Sequence, residues 1–244
     1  MKKRIFLKLR NCRVEEVLNI SFFFGLAVIV TIFSAGGVFG KSNVEKEKKI
    51  VVIDPGHGGA DIGAKGQDGT VEKTIALTIA RMVLVELESR YRVILTRADD
   101  LEVDPADRTA RANTEKANLF ISIHTGASFL HEASGVEVFV FETPPGQMPV
   151  QEEKKIKTWD RVQITHKKES REFAEALLNS IAMTGTGVRL HGAPLVVLEG
   201  ADMPAVLLEI GQLTNPLDEK KLRETAELTV IAKAIAAAVS EFLK

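Results

Sequence analysis

Six short apolar runs, each bounded by turn residues, constrain the fold of this chain more than any other feature. Most of them are continuous rather than alternating, a pattern typical of strands buried on both faces of a parallel sheet. Such a set can form one six-stranded sheet. The predicted strands span residues 49–54, 91–96, 119–124, 135–141, 194–198 and 205–210.

The segments between these runs carry apolar residues at helical spacing. Residues 72–88 and 167–183 show this pattern, as does the C-terminal stretch 231–242. Residues 105–117 begin with a proline, which is favoured in the first turn of a helix. Strands that alternate with helices predict an α/β fold. We therefore expect a single domain with a mostly parallel six-stranded sheet and helices on both faces.

The N-terminal segment differs from the rest of the chain. Residues 1–19 hold six basic and two acidic residues, and residues 20–40 carry no charge at all. The length of the uncharged run lies between that of a signal peptide and that of a membrane-spanning helix. Small residues near its end favour cleavage, whereas the long basic lead favours an uncleaved anchor. Either interpretation predicts that residues 41–244 lie outside the cytoplasm, with the periplasm as the expected compartment.

This division predicts a signal peptide or membrane anchor at 1–40, a linker at 41–48 and a folded domain at 49–244. The first 19 residues carry a net charge of +4 and the whole chain −1, so the remainder carries −5. A mildly acidic body argues against nucleic acid as a partner, because phosphate binding requires a basic face. Contact with a membrane is expected only through the N-terminal segment.

Polar side chains stand at the ends of several predicted strands. His57 follows the first strand, and His124 and Glu209 end the third and the last. Glu72 begins the first helix, just after a glycine-rich loop at 58–69. Because ligands bind outside the carboxyl ends of the strands in open α/β sheets, we expect these four side chains to meet at one edge.

Two histidines and a carboxylate with one open position are typical of a catalytic zinc site. Zinc lowers the pKa of a bound water toward about 7, and a nearby carboxylate can pass its proton to a leaving amine. A histidine at a strand end can equally be structural, and the helix dipole alone favours an acid such as Glu72 in a first turn. Glu209 is different, because a charge at the end of an apolar strand is costly unless it is paired or functional. The residues by themselves predict a metal site and make a hydrolase plausible.

Three blocks of sequence resemble the zinc-dependent N-acetylmuramoyl-L-alanine amidases. The first is VVIDPGHGGADIGAKGQDGTVEK at 51–73. The second comprises LTRADD and, further on, DRTARANTEKANLFISIHTGAS, ending at residue 128. The third is MPAVLLEIGQLTNPLDEKKL at 203–222. The blocks stand in the family's order, so the resemblance runs from about residue 49 to the C-terminus.

The resemblance implies a role for each of the four residues. His57, Glu72 and His124 would hold one zinc ion per chain, and Glu209 would be the general base. The substrate would be the peptidoglycan amide bond between N-acetylmuramic acid and L-alanine, cleaved in cell wall remodelling or daughter-cell separation. An activator protein is a candidate partner, and residues 49–244 would be the catalytic domain.

Other family-like positions and two departures concern positioning rather than the ligands. Arg97, Arg108 and Asn113 match the family, although salt bridges and helix caps explain them equally well. The family usually has Asn or Asp two residues after the second histidine, where this chain has Gly126. After the glutamate that matches Glu209 the family often has Gly-Phe, whereas this chain has Ile210-Gly211-Gln212.

Two alternative functions remain open at this stage. One is a zinc peptidase that cuts within the stem peptide, and the other is a module that binds a muropeptide without cutting it. A further hypothesis concerns residues 144–165, which follow the strand 135–141 and have loop-like composition at their start. If that strand lay parallel to the one ending in His124, the segment would form a cover near the site. The alternative is a solvated loop.

Overall fold

The computed structural model describes residues 47–129, 132–143 and 159–244. This part of the chain alternates strands and helices. The strands are β1 (Ile50–Pro55), β2 (Arg92–Leu95), β3 (Leu119–Gly126), β4 (Val136–Phe141), β5 (Val188–Ala193) and β6 (Ala205–Gln212). The helices are α1 (Glu72–Leu87), α2 (Pro105–Thr114), α3 (Lys167–Ala182), α4 (Val196–Glu199), α5 (Pro216–Arg223) and α6 (Thr225–Phe242), with a 3-10 helix at Trp159–His166.

The six strands form one sheet in the order β2-β1-β3-β6-β4-β5. The first four of these are mutually parallel, β4 runs antiparallel to β6, and β5 runs parallel to β4. The predicted α/β domain with a mostly parallel six-stranded sheet is therefore confirmed. The carboxyl ends of β1, β3 and β6 meet at one edge, which we call the catalytic edge.

Helices cover both faces of the sheet, which explains why the central strands are apolar on both sides. Alternate residues of each strand enter two separate cores. Val51 and Ile53 belong to the core under α1, α3 and α6, whereas Val52 belongs to the core under α2 and α4. Phe120 is fully buried in the second core. Strands buried in this way have the continuous apolar sequence that predicted them.

The prediction of a strand at 194–198 was wrong. The strand that the sequence did not predict is β5, and residues 196–199 form the short helix α4. β5 lies at the end of the sheet, where Arg189 is exposed while Leu190 packs against the first core. An edge strand with one solvated face alternates in polarity, so it lacks the continuous apolar signal. The apolar run that resembled a strand instead turns Leu198 into the second core.

The expected direction of β4 was also wrong. β4 pairs with β6 rather than β3, and it runs antiparallel, with Val138 opposite Leu208. Its last residue, Phe141, therefore lies at the edge opposite the catalytic edge. Residues 144–158 lie outside the described residues, and the 3-10 helix that follows them packs near the start of β6. There the buried Gln163 donates hydrogen bonds to the carbonyls of Ala201 and Met203. The premise that the segment leaves β4 beside the site is thus overturned.

The predicted N-terminal parts remain predictions, since residues 1–40 lie outside the described residues. Among the helices that the structure describes, none combines the length and the apolar character needed to cross a bilayer.

Candidate metal centre

His57 lies in a tight turn that two arginines hold in place. The turn follows β1, and His57 has a φ of 58°, which is uncommon for a residue other than glycine. Arg97 donates hydrogen bonds to the carbonyls of Pro55 (2.9 Å) and Gly56 (2.7 Å). Arg108 donates to the carbonyls of Pro55 (2.8 Å) and His57 (3.0 Å). Hydrogen bonds from both arginines thus offset the cost of the unusual backbone geometry.

A buried ion pair anchors the same turn to the sheet. The carboxylate of Asp54 is fully buried and lies 2.7 Å from Arg108. It also accepts hydrogen bonds from Ser122 of β3 (2.7 Å) and from Thr96, which follows β2 (2.5 Å). A buried carboxylate needs partners of this kind, because an unpaired one is strongly destabilising. Arg108 therefore has a structural role through its buried salt bridge with Asp54.

Arg97 and Asn113 likewise have structural roles. Besides the turn, Arg97 donates to the carbonyl of Lys73 at 2.9 Å, which ties it to α1. Asn113 donates to the carbonyl of Gly200 (2.8 Å) and accepts from the amide of Asp202 (2.9 Å). It joins α2 to the loop before β6.

Glu72 reaches the catalytic edge from the first residue of α1 and is nearly buried. One of its oxygens lies 3.1 Å from Nε2 of His57, and the other lies 2.9 Å from Nδ1 of His124. The backbone amides of Ala64 (2.8 Å) and Thr125 (3.0 Å) also donate to this carboxylate. Each imidazole therefore directs one nitrogen at the same group.

The close approach of Glu72 to His57 requires a glycine at position 63. Its φ is 65°, and a Cβ atom on it would lie 2.6 Å from both Oε2 of Glu72 and Cδ2 of His57. A side chain there would displace the two groups that face each other.

The three residues form a set that could hold a metal ion. Each of His57, Glu72 and His124 offers one ligand atom, and these atoms lie within 4.8 Å of one another. The centroids of the two imidazole rings are 5.0 Å apart, and the angle between the ring planes is 79°. Two imidazoles with one carboxylate suit zinc and leave a coordination position for water. The predicted convergence of these three residues is found in the structure.

The protonation states fit this donor set. Burial alone would favour the neutral form of Glu72, but hydrogen bonds from His124 and His57 hold its pKa well below the usual range. The hydrogen bond to Glu72 raises the pKa of His57, against the opposing effect of burial. Glu72 is thus an ionised carboxylate, which is the form that binds a metal ion.

Asp61 is a site residue that the sequence analysis missed. Its Oδ2 lies 2.7 Å from Nδ1 of His57, and its Oδ1 accepts a hydrogen bond from the amide of Gly63 at 3.1 Å. Metal-binding histidines commonly donate their second nitrogen to a carboxylate, which fixes the tautomer and the ring orientation. The available signal was the four-residue spacing from His57 within the first block.

Glu209 stands beside the three residues but outside their set. It lies on β6 directly opposite His124 of β3. Its neighbours Leu208 and Ile210 enter the first core, so its side chain projects from the other face, at the catalytic edge. Burial raises the pKa of Glu209 to about 7, and the negative charge of Glu137 adds to the rise. A carboxyl group with a pKa near neutrality is suited to proton transfer.

Glu137 extends this arrangement toward the end of the sheet. It lies opposite Glu209 on β4, and Arg189 lies opposite Glu137 on β5. Arg189 contacts the Glu137 carboxylate at 2.5 Å, and Nε2 of His191 lies 3.2 Å from it. Glu137 was missed as a neighbour of Glu209 because the antiparallel pairing of β4 with β6 was not predicted.

Comparison with known proteins relates this geometry to a family. The family described as N-acetylmuramoyl-L-alanine amidase matches residues 51–241. The chain belongs to this family. The region that matches the amidase family begins in β1 and ends in α6, and it includes all four predicted site residues.

The chain spans about half the length of AmiC, one of several amidases to which it is similar. AmiC of Escherichia coli O6:H1 is 29% identical over 222 residues, which cover 79% of this chain and 52% of AmiC.

Solved structures of the family share the fold. The catalytic domain of CwlV from Bacillus (Paenibacillus) polymyxa var. colistinus is 30% identical, with a TM-score of 0.67, over 80% of this chain and 98% of that one. The CwlD amidase from Clostridioides difficile, solved in complex with the GerS lipoprotein, is 25% identical with a TM-score of 0.65. That similarity covers 80% of this chain and 98% of CwlD.

Proposed function

We propose that this protein is a zinc-dependent amidase that hydrolyses the bond between N-acetylmuramic acid and L-alanine in peptidoglycan. The observation that carries the proposal is the convergence of His57, Glu72 and His124 beside Glu209. Membership of the amidase family supports the choice of bond. The named relatives are amidases of this specificity by their own descriptions.

In this proposal His57, Glu72 and His124 hold one zinc ion. The atoms concerned are Nε2 of His57, Nδ1 of His124 and an oxygen of Glu72, because these already face one another. When bound, zinc polarises the scissile carbonyl and lowers the pKa of water. Asp61 holds the His57 ring in the tautomer that leaves Nε2 free to bind.

Glu209 is the general base in the proposed reaction. Its carboxylate accepts a proton from the attacking water and then delivers it to the nitrogen of the leaving L-alanine. The raised pKa favours the second transfer, because a carboxyl group with a pKa near 7 is a competent acid at neutral pH. His57, Glu72 and His124 have no part in the proton transfer.

Mass spectrometry of digested muropeptides tests the function. Purified protein with zinc should release stem peptides that begin with a free L-alanine amine, together with glycan that carries free lactyl carboxylates. Fragments cut within the stem peptide would instead identify a peptidase. Binding without cleavage, at full zinc occupancy, would identify a muropeptide-binding module.

We also infer that residues 1–40 deliver the domain 49–244 across the cytoplasmic membrane, with 41–48 as a linker. The uncharged run at 20–40 and the basic residues before it support this inference. A reporter that functions only outside the cytoplasm, fused after Lys48, should be active. A mature N-terminus near residues 36–41 would show cleavage, and an intact N-terminus in the membrane fraction would show an anchor. A soluble cytoplasmic product would contradict both.

The similar amidase CwlD was solved in complex with a lipoprotein. We propose an activator protein as a candidate partner for this chain. Addition of a cell-envelope extract should raise the turnover of zinc-loaded protein, and equal turnover with and without extract would argue against an activator.

A further inference from the structure

Two positions next to the site lie in direct contact across β3 and β6. The two strands are in register up to the pair His124 and Glu209. A bulge in β6 follows, after which Gly126 lies opposite Gln212. The pair Gly126 and Gln212 is therefore the next one along the sheet toward the catalytic edge.

The side-chain amide of Gln212 fills the space that a side chain on Gly126 would need. A Cβ atom on Gly126 would lie 2.5 Å from both Cδ and Oε1 of Gln212, and it would also collide with Nε2. The backbone of Gly126 does not itself require glycine, since its φ is not positive. The space next to Gly126 is therefore occupied by the side-chain amide of Gln212.

Gln212 is 4% exposed, and its Nε2 donates a hydrogen bond to Oε2 of Glu209 at 3.4 Å. The backbone of Gln212 is fixed as well, because its backbone N–H donates a hydrogen bond to the carboxylate of the buried Asp218 at 3.0 Å. On the other side of Glu209 stands the carboxylate of Glu137, which repels a negative charge. A donor on one side and a like charge on the other favour one orientation of the Glu209 carboxylate.

We propose that Gln212 is a positioning residue that orients the carboxylate of Glu209, and that glycine at 126 provides the space for its amide. The proposal rests on the proposed function, in which Glu209 is the base. The two departures from the family's usual residues are then linked, since a side chain at 126 would compete with the amide of Gln212 for the same space. Asn at 126 would displace the side-chain amide of Gln212 from its position beside Glu209.

Single substitutions at 212 test the role of the amide. Gln212→Met keeps the length of the side chain but removes the donor, and Gln212→Ala removes both. Each should lower kcat on soluble muropeptide by on the order of ten- to a hundredfold, because a misplaced catalytic group is costly. KM and zinc content should stay close to those of the wild type, and circular dichroism should show both variants folded at the assay temperature. Unchanged kcat in both variants would overturn the proposal, as would loss of zinc, which would assign Gln212 to the metal site.

A transfer of the amide to the other strand provides the rescue. In Gln212→Ala the space beside residue 126 is empty, so Gly126→Asn can place an amide there from β3. The double variant should recover part of kcat, whereas Gly126→Leu with Gln212→Ala fills the same space without a donor and should recover none. Equal recovery in both double variants would show that only packing matters and would overturn the proposal.

A measurement that does not depend on turnover completes the test. The side-chain amide of Gln212 should shift in the 15N NMR spectrum of zinc-loaded Glu209→Ala relative to the wild type. An unshifted amide would show that the two side chains do not interact. Product analysis of the wild type in the same series separates the two proposals, since a wild type without amidase products rejects the proposed function and leaves the Gln212 contact to be judged by NMR.

Discussion

The imidazole of His57 lies between two carboxylates, with Nδ1 2.7 Å from Asp61 and Nε2 3.1 Å from Glu72. The Asp61 carboxylate is half exposed, with 54% of its side chain accessible, whereas that of Glu72 is almost buried. The inner carboxylate can share a metal with the ring, and the outer one can only orient the ring.

This relationship predicts that Asp61→Ala weakens zinc binding without abolishing it. Loss of the orienting carboxylate typically lowers metal affinity by about 10–100-fold. Competition with a chelating indicator measures the effect. Asp99→Ala is a matched control, because Asp99 is an exposed acid in the loop after β2, with 79% of its side chain accessible. Equal affinities for the Asp61 variant and the wild type would refute the orienting role.

Glu209→Gln should keep zinc and the fold but lose activity by about a hundredfold or more, the effect expected for loss of a general base. Zinc content, circular dichroism and hydrolysis of muropeptide are measured on the same sample. Release of zinc would instead make Glu209 a ligand and would require a new role for Glu72. Retained activity would make Glu209 structural.

The raised pKa of Glu209 predicts a pH dependence of stability in the metal-free protein. The folded state has a pKa of about 7, raised by burial and by Glu137, against an ordinary value of 4.5. Between these values the folded state keeps a proton that the unfolded state has released. The associated stability is therefore full below pH 4.5 and is lost as the pH rises through 7.

Glu209→Gln cannot titrate, so it isolates this effect. The free energy of unfolding of the wild type, minus that of the variant, should fall between pH 4.5 and pH 7 in urea titrations with a chelator present. Glu137→Gln removes the neighbouring charge, so the fall should end at a lower pH. Parallel curves for the wild type and Glu209→Gln would show that the pKa is not raised.

Gly63→Ala should abolish zinc binding, because the added Cβ would lie 2.6 Å from both Glu72 and His57. Gly69→Ala is the matched control. Gly69 also has a positive φ, 86°, but a Cβ there would meet no atom within 4 Å. The control should lose only the about 1–2 kcal/mol that a left-handed backbone costs a residue with a side chain. Zinc titration and urea unfolding of both variants separate collision from backbone strain, and equal zinc affinities would contradict the collision.

The sequence predicted the part of the fold that is buried on both faces. β1, β3 and β6 have continuous apolar runs, so their ends and the residues there, including His124 and Glu209, followed directly. β5 was not predicted because it is an edge strand, and its alternation of polar and apolar residues also occurs in loops and amphipathic segments. The direction of β4 was not predicted correctly, because an apolar run predicts a strand and carries no information about its orientation.

The missed site residues have a common physical cause. Asp61 and Glu137 are ordinary acids in sequence, and their roles arise from what lies beside them. Glu137 gains its role only through the antiparallel pairing of β4 with β6. Gln212 and Gly126 were noticed only as departures, because the contact between them depends on a bulge that the apolar pattern does not reveal.

The two arginines that hold the His57 turn have a consequence for how the protein acquires its metal. Arg97 and Arg108 fix the backbone of the turn through its own carbonyls, and Asp54 fixes Arg108 within the sheet. The geometry at His57 is therefore completed by folding and does not wait for an ion. None of the binding free energy of zinc is then consumed in ordering the turn, as it is in domains that fold around their metal. Folding and metal loading then become separate events, so under the proposed export the chain can fold outside the cytoplasm first and take up zinc afterwards.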